Sequence, residues 1–230
     1  MGFLSFQNKW YQQLHQLVQK LKKTPRPPTS DKENDNLTEL AQKFLSHLSD
    51  YYRVKAALAH QDVLFLLAAP WNTKFEGSLR WLAGWRPSTV FQVIHTQSNI
   101  LFENYLFDML DGAVQTGDLG NLSPDQMKCL GDLHCQTTGE ENDLNDQLAD
   151  WQDVASDMML LRHEDDKEEL MDDLGTIVRR GDELRMQTLR KAVQLLTPHQ
   201  TVDFLVSAAQ LHSLVSAWGE KRDIADGIDE

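Results

Sequence analysis

Two cysteines in 230 residues, Cys129 and Cys135, are too few to staple a chain of this size, so a disulfide scaffold is excluded and a reducing compartment is the expectation. No apolar run approaches the 18 or so residues of a membrane span; the best one, "VLFLLAAPW", breaks at Pro70. The start "MGFLSFQNKW" has no charged-then-apolar signal layout, and Phe6 stands where myristoylation wants Ser or Thr. These absences together predict a nuclear or cytoplasmic protein with no membrane span. Alternating strand patterns and fixed-period repeats are also missing, as are a P-loop, a dinucleotide fingerprint and a nucleophile elbow. The expectation is a protein that is not an enzyme.

What the chain does have is acid and helical periodicity. Its net charge is −13, and residues 140–183 carry 16 acids against four basic residues. Residues 1–30 run the other way, with Lys9, Lys20, Lys22, Lys23 and Arg26 and no acid. So acidic a body argues against direct, sequence-specific DNA binding, because phosphate contacts supply much of that affinity. A basic arm of this kind suits an anionic partner, a membrane surface or the chain's own acidic segment.

Phe6, Trp10, Leu14, Leu17 and Leu21 recur at steps of four, four, three and four, which predicts an amphipathic helix over 1–23. That apolar face packs on its own domain or serves as a partner-binding surface, as in calmodulin targets. Residues 24–35, with three prolines, read as a linker, and the main domain is expected over 36–219, before an acidic tail at 220–230. Asn36 with Glu39 predicts the start of a helix running to Gln61. Asp62 can cap "VLFLLAA". Thr73 and Glu76 form a capping box opening a helix expected to end at Gly84, and Pro87 suits the first turn of the next, which runs to about Asp111. "DGAVQTGDLGN" reads as a loop. "SPDQ" and "TPHQ" repeat one device, a hydroxyl cap with proline first and glutamine third, opening helices expected over about 124–165 and 198–218 with another near 170–196 between them. The fold class is all-α, a single multi-helix bundle with a tethered N-terminal helix.

Metal and cofactor signals are thin. Eight histidines, at 15, 47, 60, 95, 134, 163, 199 and 212, include no pair three or four residues apart. Cys129, His134 and Cys135 fall one short of a tetrahedral zinc set. "RHEDDKEELMDD" (162–173) lacks the alternation and central glycine of a calcium loop and reads as a solvated acidic face. No metal or cofactor is expected, although one histidine suffices for a haem.

The densest cluster of large rings lies in "APWNTKFEGSLRWLAGWRPS". In order, the markers from 36 to 91 resemble the plant delay-of-germination domain, shared with the C-terminal half of TGA-type leucine-zipper transcription factors. The family pattern is a tyrosine-and-lysine helix end, an Asp-Val helix, then "W…E…W-x-G-G-[FW]-R-P-S". The matching residues are Tyr51 or Tyr52, Lys55, Asp62, Val63, Trp71, Glu76, Trp81, Gly84, Trp85, Arg86, Pro87 and Ser88. A second match, "ADxLRxQTLxxxxxILTxRQ" and a closing tryptophan, falls on Asp182, Leu184, Arg185, Gln187, Thr188, Leu189, Leu196, Thr197, Gln200 and Trp218. Ala83 departs from the family's first glycine and His199 from a frequent basic residue, and no basic region or leucine heptads precede the domain. The resemblance therefore implies a regulatory interaction module of plants without the zipper factors' DNA binding. Its expected setting is abscisic-acid-linked germination, dormancy or stress response and the associated transcription. Regulatory proteins such as phosphatases and transcription factors are the expected partners, a homodimer is allowed, and a calmodulin- or small-ligand-binding sensor bundle is the alternative.

Overall fold

In the computed structural model the described residues are 2–110, 117–161 and 167–227, with side chains described outside 105–110 and 159–161. Eight helices occupy these residues: α1 Phe3–Lys23, α2 Asp31–Gln61, α3 Val63–Ala68, α4 Lys74–Ser78, α5 Thr89–Leu110, α6 Pro124–Leu161, α7 Lys167–Leu195 and α8 Pro198–Ala225. A 3₁₀ turn at Leu119–Asn121 precedes α6. The all-α expectation holds. No helix among the described residues is long and apolar enough to cross a membrane.

The main core gathers Leu21 from α1, Leu37 and Phe44 from α2, Phe91 and Ile94 from α5, Leu130 from α6, and Phe204 and Leu205 from α8. A second cluster, with Val63, Leu66, Leu174 and Val178, seats α3 on α7. A third places Leu82 against Leu144, Ile177 and Leu184. The long α6–α7 pair thus forms the floor on which the Trp71–Ser88 joint rests.

Helix starts follow their capping chemistry. Ser123 and Gln126 exchange backbone-to-side-chain hydrogen bonds at 3.0 and 3.1 Å, and Thr197 and Gln200 do the same. The two glutamines also meet, Gln126 Nε2 donating to Gln200 Oε1 at 2.8 Å, so the starts of α6 and α8 are tied together. Asp62 accepts from the Phe65 N–H as expected.

Three boundaries differ from the sequence reading. The second helix starts at Asp31, not Asn36: Ser30 accepts from the Glu33 N–H, and the Glu33 carboxylate takes both the N–H and hydroxyl of Thr29. Glu39 is committed elsewhere, to Lys43 one turn on. The last helix continues past 218 to Ala225. Helix α4 stops at Ser78 rather than Gly84, for reasons that lie in the joint itself. The loop read at 111–121 falls largely outside the described residues, as does the start of the acidic stretch at 162–166.

The proline-rich segment is pinned. Arg26 pairs with Asp203 of α8 at 2.7 Å, beside His199. Burial raises the Asp203 carboxyl above its usual range despite the opposing charge of Arg26.

Candidate functional site

Between α4 and α5 the chain does not stay helical, because its carbonyls are taken by one arginine and a second arginine ties it back to α3. Arg80 reaches back to cap the end of α3, donating to Leu66 and Leu67 carbonyls at 2.9 and 2.7 Å. Trp81 and Gly84 then pair backbone to backbone at 2.7 and 3.0 Å, closing a tight turn over Leu82 and Ala83. Both central residues have positive φ, 42° and 59°, the requirement of the tightest hairpin turns.

Arg185 of α7 sits under this turn and is fully buried. It donates to the carbonyls of Trp81, Leu82 and Trp85, the last two at 3.1 and 2.5 Å. Its fourth partner is Asp182 Oδ1 at 2.6 Å, and its guanidinium also lies over the Trp81 ring. A Cβ built on Gly84 would stand 2.8 Å from Arg185 Cζ, so the glycine is needed for clearance rather than as a helix terminator. Lys55 of α2 completes the group, its Nζ 2.7 Å from the same Asp182 Oδ1, with both side chains buried. One carboxylate thus serves two cations, and its other oxygen, Oδ2, has no hydrogen-bond partner. Burial lowers the Lys55 ammonium to about 8, against the opposing pull of Asp182.

The other signature residues also tie elements together. Arg86 pairs with the fully buried Glu141 of α6 at 2.7 Å, and Glu141 also accepts from the Ser88 N–H at 2.6 Å. Trp81 Nε1 donates to Asn145 at 2.8 Å. Pro87 is buried in a turn two residues before α5 begins, so it prepares that helix without being part of it. Trp85 packs on the main core, and Trp71 lies half-buried against Phe3 and Phe65. Glu76 closes the Thr73 capping box and accepts from Ser216 of α8. Burial works to raise its carboxyl, but the hydrogen bonds from Ser216 and Thr73 hold it below the usual range. The closeness of α4 and α8 depends on Gly219, where a Cβ would fall 2.2 Å from Thr73 Oγ1.

Ala83 holds a left-handed conformation that glycine adopts without strain, and its methyl is only half-buried. Ala83→Gly is therefore expected to stabilise the fold by about 0.5–1 kcal/mol, read from urea unfolding midpoints. Leu82 carries similar strain, but its burial against Ile177 and Leu184 offsets it. Arg86→Ala strips one of two donors from a buried carboxylate. Because Arg86 is 44% exposed, water replaces part of what is lost, and the expected cost is about 1 kcal/mol in a thermal melt. No loss of stability would show that Glu141 does not depend on Arg86.

The structure turns the apolar face of α1 inward. Trp10 and Leu21 are buried, and Phe6, Leu14 and Leu17 are half-buried. Trp10 stacks on His47 with ring centroids 4.8 Å apart, and donates to the His47 carbonyl at 2.8 Å. Engagement of that face by a partner groove requires α1 to lift from α2. Cys129 and Cys135 are both exposed, whereas His134 stacks on Phe91. His163 lies outside the described residues. Among those described, no three His, Cys, Asp or Glu side chains gather around a common point for a metal ion.

Lys55, Asp182 and Arg185 enter the sequence reading only as matches to a family pattern, and nothing there brings them together. A signal was present: Asp182 and Arg185 fall on the apolar stripe of α7 defined by Leu174, Val178, Gly181 and Leu189. A charge in such a stripe must be paired.

The family model described as DOG1, seed dormancy control, matches residues 13–96, which takes in Lys55 and the whole Trp71–Ser88 joint. The chain is 26% identical over 212 residues to Protein DOG1-like 3 of Arabidopsis thaliana, spanning 84% of this chain and 75% of that one. Identity to Protein DOG1-like 2 of the same plant is 27% over 213 residues, 85% and 82% of the two chains. Transcription factor TGA5 of Arabidopsis thaliana is 30% identical over 186 residues, which span 76% of this chain and 52% of that factor.

Proposed function

We propose that this chain, which belongs to the DOG1 seed-dormancy-control family, is a regulatory interaction protein of plant cells that acts by binding rather than catalysis. Its setting is abscisic-acid-linked germination, dormancy or stress response and the transcription tied to it, in the nucleus or cytoplasm. Its partners are regulatory proteins, phosphatases or transcription factors among them.

The observation that carries the contact reading is an apolar surface beside the signature joint. On α8, Leu211, Leu214 and Trp218 share one face and remain exposed, Leu214 at 69% and Trp218 at 49%. Phe75 of α4 packs its ring against Trp218 at 4.3 Å, and Leu79 at the end of α4 is also exposed. Contiguous exposed apolar groups rimmed by charge mark protein contact sites. Glu76, through Ser216 and Thr73, fixes this surface relative to the joint.

The test is affinity purification from seed or seedling tissue with wild-type and Leu214→Asp baits. Since Leu214 is so exposed, the substitution leaves the core alone. The reading expects regulatory proteins with the wild type that disappear with the variant. Identical lists, or no regulatory protein at all, would overturn it.

A further inference from the structure

We propose that the groove between α2 and α7 binds a small organic anion with an apolar body and a hydrogen-bond donor. The groove is open to solvent on one side and offers about 470 Å³, within the range of small-molecule sites. Its floor is apolar, from the Tyr52 ring, Ala56 and Met186. Around it stand Arg53, Arg179, Arg190 and Lys191, with Glu183 the acid among them at the rim. Four cations around one concavity run against a chain whose net charge is −13, and a concave low-dielectric wall concentrates such a field.

The cations are also under-used. Arg190 donates to a neutral hydroxyl, Ser49 Oγ, at a long 3.2 Å, and Arg179 to Thr176 Oγ1 at 2.8 Å. Arg53 meets Asp50 on its own helix, both of them exposed. Lys191 has no ion-pair partner among the described residues. Guanidinium forks with spare N–H groups take a carboxylate, sulfonate or phosphate in bidentate fashion.

A second, independent feature selects the rest of the ligand. Asp182 also lines the groove, and its Oδ2, sealed from water, has no hydrogen-bond partner, so a ligand donor reaches it once the side chains covering it move aside. A buried acceptor in that state is relieved by an O–H or N–H donor. Both walls are α-helical, so their backbone groups are satisfied and cannot add an extended peptide as a strand. Cation rim, apolar floor and deep acceptor together describe a compact amphipathic anion. Its contact with Asp182 would reach Arg185, and through Arg185 the Trp81–Trp85 turn.

The probe is 8-anilinonaphthalene-1-sulfonate, which combines two apolar ring systems, an N–H and a sulfonate. Titrated into the full chain by calorimetry, it is expected to bind one site. Arg53→Ala/Arg190→Ala is expected to raise its Kd at least tenfold. N-phenyl-1-naphthylamine, which lacks the sulfonate, is expected to bind at least tenfold more weakly than the probe and to be unaffected by the double variant. This separates the groove from the apolar surface on α8, which would take both dyes alike. Both arginines are exposed, so the variant should melt as wild type does; should it not, Lys191→Glu reads the same loss. Wild-type affinity in these variants, equal affinity for the two dyes, or no binding by either dye would overturn the proposal.

Discussion

Replacing Arg185 with alanine is expected to destabilise the fold by about 3–5 kcal/mol, the cost of breaking a buried ion pair from one side. In a thermal melt of a chain this size, that is a fall on the order of 10 °C. Three costs coincide. The carbonyls of Trp81, Leu82 and Trp85 lose their donor while the strained turn that displays them remains. Asp182 keeps Lys55 alone. The space under Gly84 empties, because the guanidinium that fills it is gone. Lysine at this position is not a rescue, since one ammonium cannot reproduce a planar fork that meets several carbonyls and a carboxylate. Arg185→Lys should therefore remain closer to Arg185→Ala than to wild type. A loss below 1 kcal/mol for either variant would show that the turn stands without its central donor. Leu214→Asp, on the exposed apolar surface, is the contrasting control, with little expected effect on stability.

The contrast between these residues explains how far the sequence was legible. Capping chemistry is local, so Thr73, Ser123 and Thr197 announced their helix starts, and α1 announced itself by period. Asn36 is not the cap because Ser30 offers the same chemistry six residues earlier, with Glu33 reaching back to Thr29. By local rules "RWLAGWRPS" reads as a helix end and a helix start. It is a two-residue turn whose carbonyls are held from α7, 100 or more residues away. No local rule encodes that demand. Ala83, where the family pattern has glycine, is the nearest local hint, because a position that prefers glycine is one that turns through positive φ. The charged members of the α7 stripe were visible, but their partner Lys55 was not assignable without the packing of α2.

Stability is expected to rise with pH between about 8 and 10 and to fall above it, a dependence set by the same buried group. Lys55 is neutralised near 8 in the folded chain, chiefly by burial, whereas an unfolded lysine holds its proton to about 10.4. In that window the unfolded state binds a proton that the folded state does not, so raising the pH favours folding. Asp182 opposes the shift, while Arg185 and Arg80 reinforce it. Losing the Lys55 proton leaves Asp182 and Arg185 as a matched pair in place of two cations on one oxygen. From pH 8 to 9.5 the gain should be about 1.5 kcal/mol, somewhat less than the full slope of roughly 1.4 kcal/mol per pH unit would give, because at pH 8 the folded lysine is still half protonated. Tyr51 and Tyr52 reverse the trend, since burial raises both phenols well above their ordinary value. Above about pH 10 an unfolded tyrosine ionises while these two do not, and the unfolded state is favoured. Urea unfolding at pH 7, 8, 9.5 and 11 reads the whole profile. Lys55→Met should abolish the rise and keep the fall, because it removes the ammonium and leaves both phenols and the Asp182–Arg185 pair in place. A wild-type profile that is flat from 8 to 9.5, or a rise that survives in Lys55→Met, would mean that Lys55 stays charged in the core.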